Sequence, residues 1–307
     1  MEGSIIVSQM VQMFLIMFLG YFLRKQGLLD QGFTAKLTTF LLNVAMPCLI
    51  LHSVIGQADE PNLREAGIVF AVAAGMYLLL PLLSLLLVKL LRLPKQQQGV
   101  YAFMMTFSNV GFMGFPLVNA VYGSEAVFYT AIINILFTIS SYTIGLLLLH
   151  CGQAAKAKFD PKQLLTPGVA LSVLAIILYL ADLSFPSELV QSTETVGNMT
   201  TPSAMLCMGS TLASMELKEV MSDWRVYLFS VIKQIVLPLL LLPLIWSVLS
   251  SDYLRGIIYL LLLTPVANSA VLFATEYGYD EKLAAKGVFL STILSVGTIP
   301  LLAPLIG

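Results

Sequence analysis

The chain has 307 residues, 58% of them hydrophobic and only 11% charged, with a mean hydropathy of +0.89. A soluble domain carries about a quarter charged residues, so this composition points to an integral membrane protein. The net charge of −1 excludes the basic footprint of a nucleic-acid binder.

A membrane-spanning helix needs about 20 mostly apolar residues. Ten candidate spans follow in chain order: 5–23, 34–55, 67–91, 100–121, 125–149, 164–181, 187–214, 226–250, 254–275 and 282–306. The opening MEGSIIVSQM lacks the basic region and small-residue cleavage site of a signal peptide, so it reads as the start of the first span. Short polar stretches such as RKQG, RLPKQQQ and SSDYLR separate the spans. Cys48, Cys151 and Cys207 are an odd set without paired spacing and read as small membrane residues, so neither a disulfide nor a metal site is expected.

Basic residues set the orientation. With the N-terminus outside, 13 of the 16 lysines and arginines fall at cytoplasmic ends, from Arg24 and Lys25 to Lys282 and Lys286. Arg64 and Arg255 fall outside, and Lys233 alone lies within a span. A multi-pass protein of the cell membrane with both termini outside is expected, with the lipid bilayer as its constant partner.

The chain also matches itself at an offset of 155 residues. Asn43 and Pro47 fall on Asn198 and Pro202, Tyr122-Gly123 on Tyr277-Gly278, Glu125 on Asp280, and Ser140 and Thr143 on Ser295 and Thr298. An odd number of spans per half forces the second half to enter from the opposite side. The expected fold is therefore an all-α membrane protein of ten transmembrane helices in two inverted five-helix repeats. Residues 1–151 form the first repeat, 152–163 a short cytoplasmic linker and 164–307 the second repeat. Inverted repeats are a transporter architecture, with the binding site at the midplane where the halves meet.

Two spans carry residues that do not suit an uninterrupted helix. Span four contains SNVGFMGFP, Ser108 to Pro116, and span nine contains TPVANSA, Thr264 to Ala270. A proline at bilayer depth removes an internal hydrogen bond, and broken backbone there is tolerated only when protein buries it or a cavity hydrates it. Each break exposes the N-terminus of a half-helix, with unsatisfied N–H groups and about half a positive charge. Two such ends meeting at the midplane attract an anion, and Asn109 and Asn268 can donate to its carboxylate. Substrate binding is therefore expected at Asn109, Gly111, Gly114, Pro116, Pro265, Asn268 and Ser269.

These motifs resemble the auxin efflux carrier family, the group of the plant PIN transporters and of bacterial permeases assigned to malate or malonate. The resemblance rests on N-x-G-x-x-G-x-P at Asn109, Gly111, Gly114 and Pro116 and on P-x-x-N at Pro265 and Asn268, followed by ATEYG up to Gly278. N-x-x-x-P at Asn43 and Pro47 and the ten-span layout agree with it. The resemblance implies crossing helices four and nine, with the family's crossover asparagines at Asn109 and Asn268. It also implies a scaffold of spans one, two, six and seven, a moving part of the other six, and a homodimer. The large hydrophilic loop of the long plant carriers is absent here, so regulation through such a loop is not supported.

Three further residues bear on coupling. Lys233 lies about 12 Å by helical rise from Arg225 and is a substrate counter-charge, a proton-coupling group or a snorkelling side chain. The two-turn distance to the cytoplasmic boundary favours snorkelling. Glu276 either caps a helix in water or joins Thr106, Ser108 and Asn109 in a cation site. No G-x-x-x-x-G-K-[ST] or H-E-x-x-H motif occurs, and no serine has an evident activating base. The chain is therefore read as no enzyme and without a cofactor. The expected function is a carrier that moves a small organic anion, such as a carboxylate or an auxin-like acid, by alternating access. A sodium-coupled organic-anion symporter of the bile-acid-transporter type, or an anion channel, is the alternative.

Overall fold

A computed structural model describes residues 2–56, 62–151, 167–181, 185–214 and 223–306. The linker expected at 152–163 lies outside the described residues. The described chain is all-helical, and its only β-type pairing is one isolated bridge between Ser108 and Val266. The helices are α1 (Glu2–Lys25), α2 (Gln31–Ile55), α3 (Leu63–Leu90), α4 (Lys95–Thr106), α5 (Val110–Tyr122), α6 (Ser124–Leu149) and α7 (Pro167–Ala181). They continue as α8 (Ser187–Gly197), α9 (Thr200–Ala213), α10 (Trp224–Val248), α11 (Asp252–Leu263), α12 (Ser269–Glu276) and α13 (Glu281–Ile306).

Among the described residues six helices are long and apolar enough to cross a membrane: α1, α2, α3, α6, α10 and α13. The other four expected spans differ. Spans four and nine are each two helices with a gap, span seven turns at Asn198-Met199, and span six is the 15-residue α7. The protein is thus a helical membrane protein. In lipid the backbone must satisfy its own polar groups, which is why helix dominates.

Side-chain caps start several of these helices, as expected for short polar residues at helix entries. Asp30 accepts from the Phe33 N–H, Asn62 from Glu65, Ser251 from Leu254 and Asp280 from Leu283. Left-handed Gly123 (φ 83°) turns the chain from α5 into α6, and left-handed Gly278 (φ 69°) turns it from α12 towards α13. These two glycines are a pair matched by the 155-residue offset.

Three helices widen into a π turn just before a proline: Leu41–Ala45 before Pro47, Val110–Gly114 before Pro116 and Ile232–Val236 before Pro238. A proline ring collides with the carbonyl four residues back, and a wider turn moves that carbonyl aside. Pro116 therefore sits inside α5, not at its break.

Packing is closest between α1 and α9. A Cβ on Gly20 would lie 2.5 Å from the Leu206 carbonyl oxygen, and one on Gly209 would collide with the Met17 carbonyl. Only glycine lets the two backbones approach this far, a common device between membrane helices. Towards the outside the pattern is apolar: Leu78, Leu82, Leu86 and Leu90 form one exposed stripe along α3 at four-residue spacing.

Candidate functional site

The first break follows Thr106. Phe107 leaves the helix in extended conformation, its ring buried against Phe103 (4.6 Å between centroids), Phe137 (5.6 Å) and Tyr77 (6.0 Å). The second break follows Leu263. Thr264 is extended (ψ 147°) because Pro265 behind it disfavours helical geometry at the preceding residue.

The two extended stretches run antiparallel and pair. The Asn109 N–H donates to the Pro265 carbonyl at 2.8 Å, and the Ala267 N–H donates to the Phe107 carbonyl at 3.0 Å. Backbone freed by one break thus satisfies backbone freed by the other, as a dry setting requires. Pro265 offers only a carbonyl, which is the group this pairing uses.

Asn109 caps α5. Its Oδ1 accepts from the Phe112 N–H at 3.2 Å, and its backbone carbonyl accepts from Gly114 at 2.9 Å. The side chain is 2% exposed, and its Nδ2 has no hydrogen-bond partner among the described residues. Asn268 behaves differently. It is helical in conformation, half-buried, and gives α12 no side-chain cap. The neighbouring Ser269 Oγ is buried without a partner.

The remaining expected site residues spread out from this crossing. Gly111 is half-buried, and a Cβ there would meet open space. Gly114 faces α11, where a Cβ would press to 2.7 Å from Leu261 Cδ2. Pro116 is buried in the body of α5, and Glu276 is exposed at the last residue of α12.

Lys233 does not snorkel. The side chain is 0% exposed, and its ammonium donates to Ser108 Oγ at 2.8 Å and to the Met105 carbonyl at 3.2 Å. Met105 lies in the last turn of α4, whose free carbonyls and negative dipole end favour a cation. Two helical turns from the boundary leave the stem free to turn inward, and the broken helix supplies acceptors that lipid does not. Both of these Lys233 contacts are to neutral oxygens, a backbone carbonyl and a hydroxyl.

Sequence reasoning missed the residues that hold the second break. The Val266 N–H donates to Ser291 Oγ at 3.0 Å, and the next residue on α10, Gln234, donates through Nε2 to the Ser291 carbonyl at 3.1 Å. Both side chains are fully buried, and Gln234 Oε1 is unpartnered. A polar pair Lys233-Gln234 inside a span was the available signal for Gln234. Ser291, one hydroxyl in a small-residue helix, offers none.

A cavity of about 30 Å³ opens beside the crossing, with Tyr77, Thr106, Ser108 and Val110 in its walls and otherwise aliphatic side chains from α3, α6 and α11. That is far below the roughly 300 Å³ or more of a small-molecule pocket, so a guest of that size enters only as the walls move.

A model of the family described as "Membrane transport protein" matches residues 5–303. The chain belongs to this family. It is the auxin efflux carrier family to which the crossover motifs point. Among relatives, an uncharacterized transporter of Methanothermobacter thermautotrophicus is 24% identical over 291 residues, covering 93% of each chain. The uncharacterized transporter MJ1031 of Methanocaldococcus jannaschii is 21% identical with 94% of each chain covered. The uncharacterized transporter YfdV of Escherichia coli K12 is 23% identical with 96% covered. The family is one of membrane transporters and not an enzyme class.

Proposed function

We propose that this membrane transport protein is a secondary carrier for a small organic anion, working by alternating access, with the substrate held where the two broken helices cross. One observation carries the reading. Two helix breaks satisfy each other's backbone beside a buried ammonium whose partners are neutral oxygens. A buried charge without a counter-ion is costly, and an anion at the crossing relieves that cost. The N-termini of α5 and α12, the free Asn109 Nδ2 and the unengaged Asn268 amide supply donors for a carboxylate.

The carrier reading includes ten spans in two inverted repeats, with both termini outside the cell membrane and a homodimer as the family implies. The matched left-handed glycines Gly123 and Gly278 and the two interrupted helices support the repeat. No observation favours a sodium-coupled symporter or a channel. An impermeant thiol reagent should fail to label a cysteine placed at Gln153 from outside intact cells, and ready labelling refutes the orientation.

The deciding experiment is a thermal-shift screen of purified protein against acetate, malonate, malate, benzoate and indole-3-acetate, with and without sodium and across pH. It is followed by exchange of labelled for unlabelled acid in proteoliposomes. A concentration-dependent stabilisation with saturable exchange is expected. Binding without exchange, or flux that does not saturate, overturns the carrier.

A further inference from the structure

Lys233 is absent from the walls of the crossover cavity, whereas Ser108, which it contacts, is part of them. The Ser108 oxygen accepts from the ammonium at 2.8 Å, so its own proton is the group left to give. The nearest acceptor for that proton is the Leu262 carbonyl at 3.5 Å, far beyond the usual 2.7–2.8 Å of a hydroxyl hydrogen bond. Thr106, the other small hydroxyl in the wall, already donates to the Ala102 carbonyl at 2.9 Å. The Val110 N–H is likewise spent on the Ser108 carbonyl at 2.9 Å.

We propose that Ser108 is the substrate-contacting donor of the cavity and that Lys233 is a positioning residue acting through it. The ammonium occupies one lone pair of the hydroxyl, turns the O–H towards the cavity and polarises it, since chained hydrogen bonds strengthen one another. The ligand group that fits is an anionic oxygen, such as a carboxylate. This rests on the anion reading above and assigns a residue not counted there among the substrate contacts. It also explains why a charge buried behind the wall belongs to the site at all. The Tyr77 phenol is the remaining hydroxyl in the wall and the rest is apolar, so Ser108 is the lining donor that a charge polarises.

The test places a reporter thiol in the same wall. In protein with Cys48, Cys151 and Cys207 changed to alanine, Val110→Cys is alkylated with iodoacetate and, separately, with the neutral iodoacetamide. In both reactions the thiolate sulfur forms a bond to carbon and iodide leaves, so the rate ratio cancels thiolate reactivity and reads the preference for an anion. Relative to free cysteine, the ratio should favour iodoacetate. Ser108→Ala or Lys233→Met should each lower it by about 10-fold or more, the range of a hydrogen bond to a charged group. In the Ser108→Ala background, changing Lys233 should then alter the ratio by no more than about 2-fold, since both residues act along one path.

Lys233→Gln keeps a donor for Ser108 and serves wherever the methionine variant does not elute as folded protein. Its smaller loss should also vanish in the Ser108→Ala background. If Lys233 still raises the ratio there, or Ser108→Ala leaves the ratio unchanged, the relay is wrong while the anion reading stands. A parent ratio no higher than that of free cysteine removes the anion reading itself.

Discussion

At the first break the chain is held by a charge, and at the second by a hydroxyl. Ser108 receives the ammonium of Lys233, whereas Val266, its partner in the antiparallel bridge, donates its N–H to Ser291. Asn109 caps α5 through its side chain and keeps a free amide nitrogen, while Asn268 caps nothing. The backbone is nearly symmetric and the chemistry is not. At the 155-residue offset, fully buried Lys233 on α10 corresponds to Leu78 on α3, which is 64% exposed. Symmetric pairing holds the helix ends together, and the asymmetric side chains put a positive charge at the first break. Of the adjacent Lys233 and Gln234 on α10, the first meets the first break directly and the second meets Ser291, which in turn holds the second break.

The largest effect at the crossing is expected from Asn109→Asp. The new oxygen can still accept from Phe112, so the cap on α5 should be kept, but the free N–H₂ becomes an anion. Binding of an organic acid, followed by thermal shift, should fall by about 100-fold or more. Retained binding places the anion away from α5. Next in size is Lys233→Met, for which exchange in proteoliposomes should fall by roughly 10- to 100-fold at normal expression. Activity within a few-fold of the parent reduces the lysine to packing.

Asn268→Ala sharpens the contrast at the second break. Its side chain caps no helix, so thermal unfolding should be unchanged while affinity for the acid drops by about 10-fold. An unchanged affinity makes the site one-sided and leaves it with the first break. The smallest effect on transport belongs to Ser291→Ala. It strands the buried Val266 N–H, so the cost should appear as about 1–3 kcal/mol of stability in denaturant or thermal unfolding, with affinity near that of the parent. A large loss of affinity at undiminished stability gives Ser291 a role beyond bracing.

Much of this was legible in the linear chain because it depends on local composition. Long apolar runs, the clustering of Arg24, Lys25, Lys282 and Lys286 at span ends, and the prolines and asparagines of SNVGFMGFP and TPVANSA all act within a few residues of themselves. The break before Pro265 follows from the constraint on Thr264. Pro116 misled, since the π turn at Val110–Gly114 absorbs it and the chain breaks earlier, at Phe107–Asn109.

Local patterns in the chain are therefore enough for a helical membrane protein of a transporter family with two interrupted helices. Those properties follow from hydrophobicity, from the missing N–H of proline and from short-range capping. That the interruptions pair, that Lys233 turns to Ser108 rather than to the interface, and that Ser291 holds Val266 all depend on how the helices pack. Lys233 and Ser108 stand 125 residues apart, Val266 and Ser291 25. No local pattern encodes which distant oxygen will meet a buried ammonium. In a dry interior the unmet hydrogen-bonding groups select one another once the helices pack.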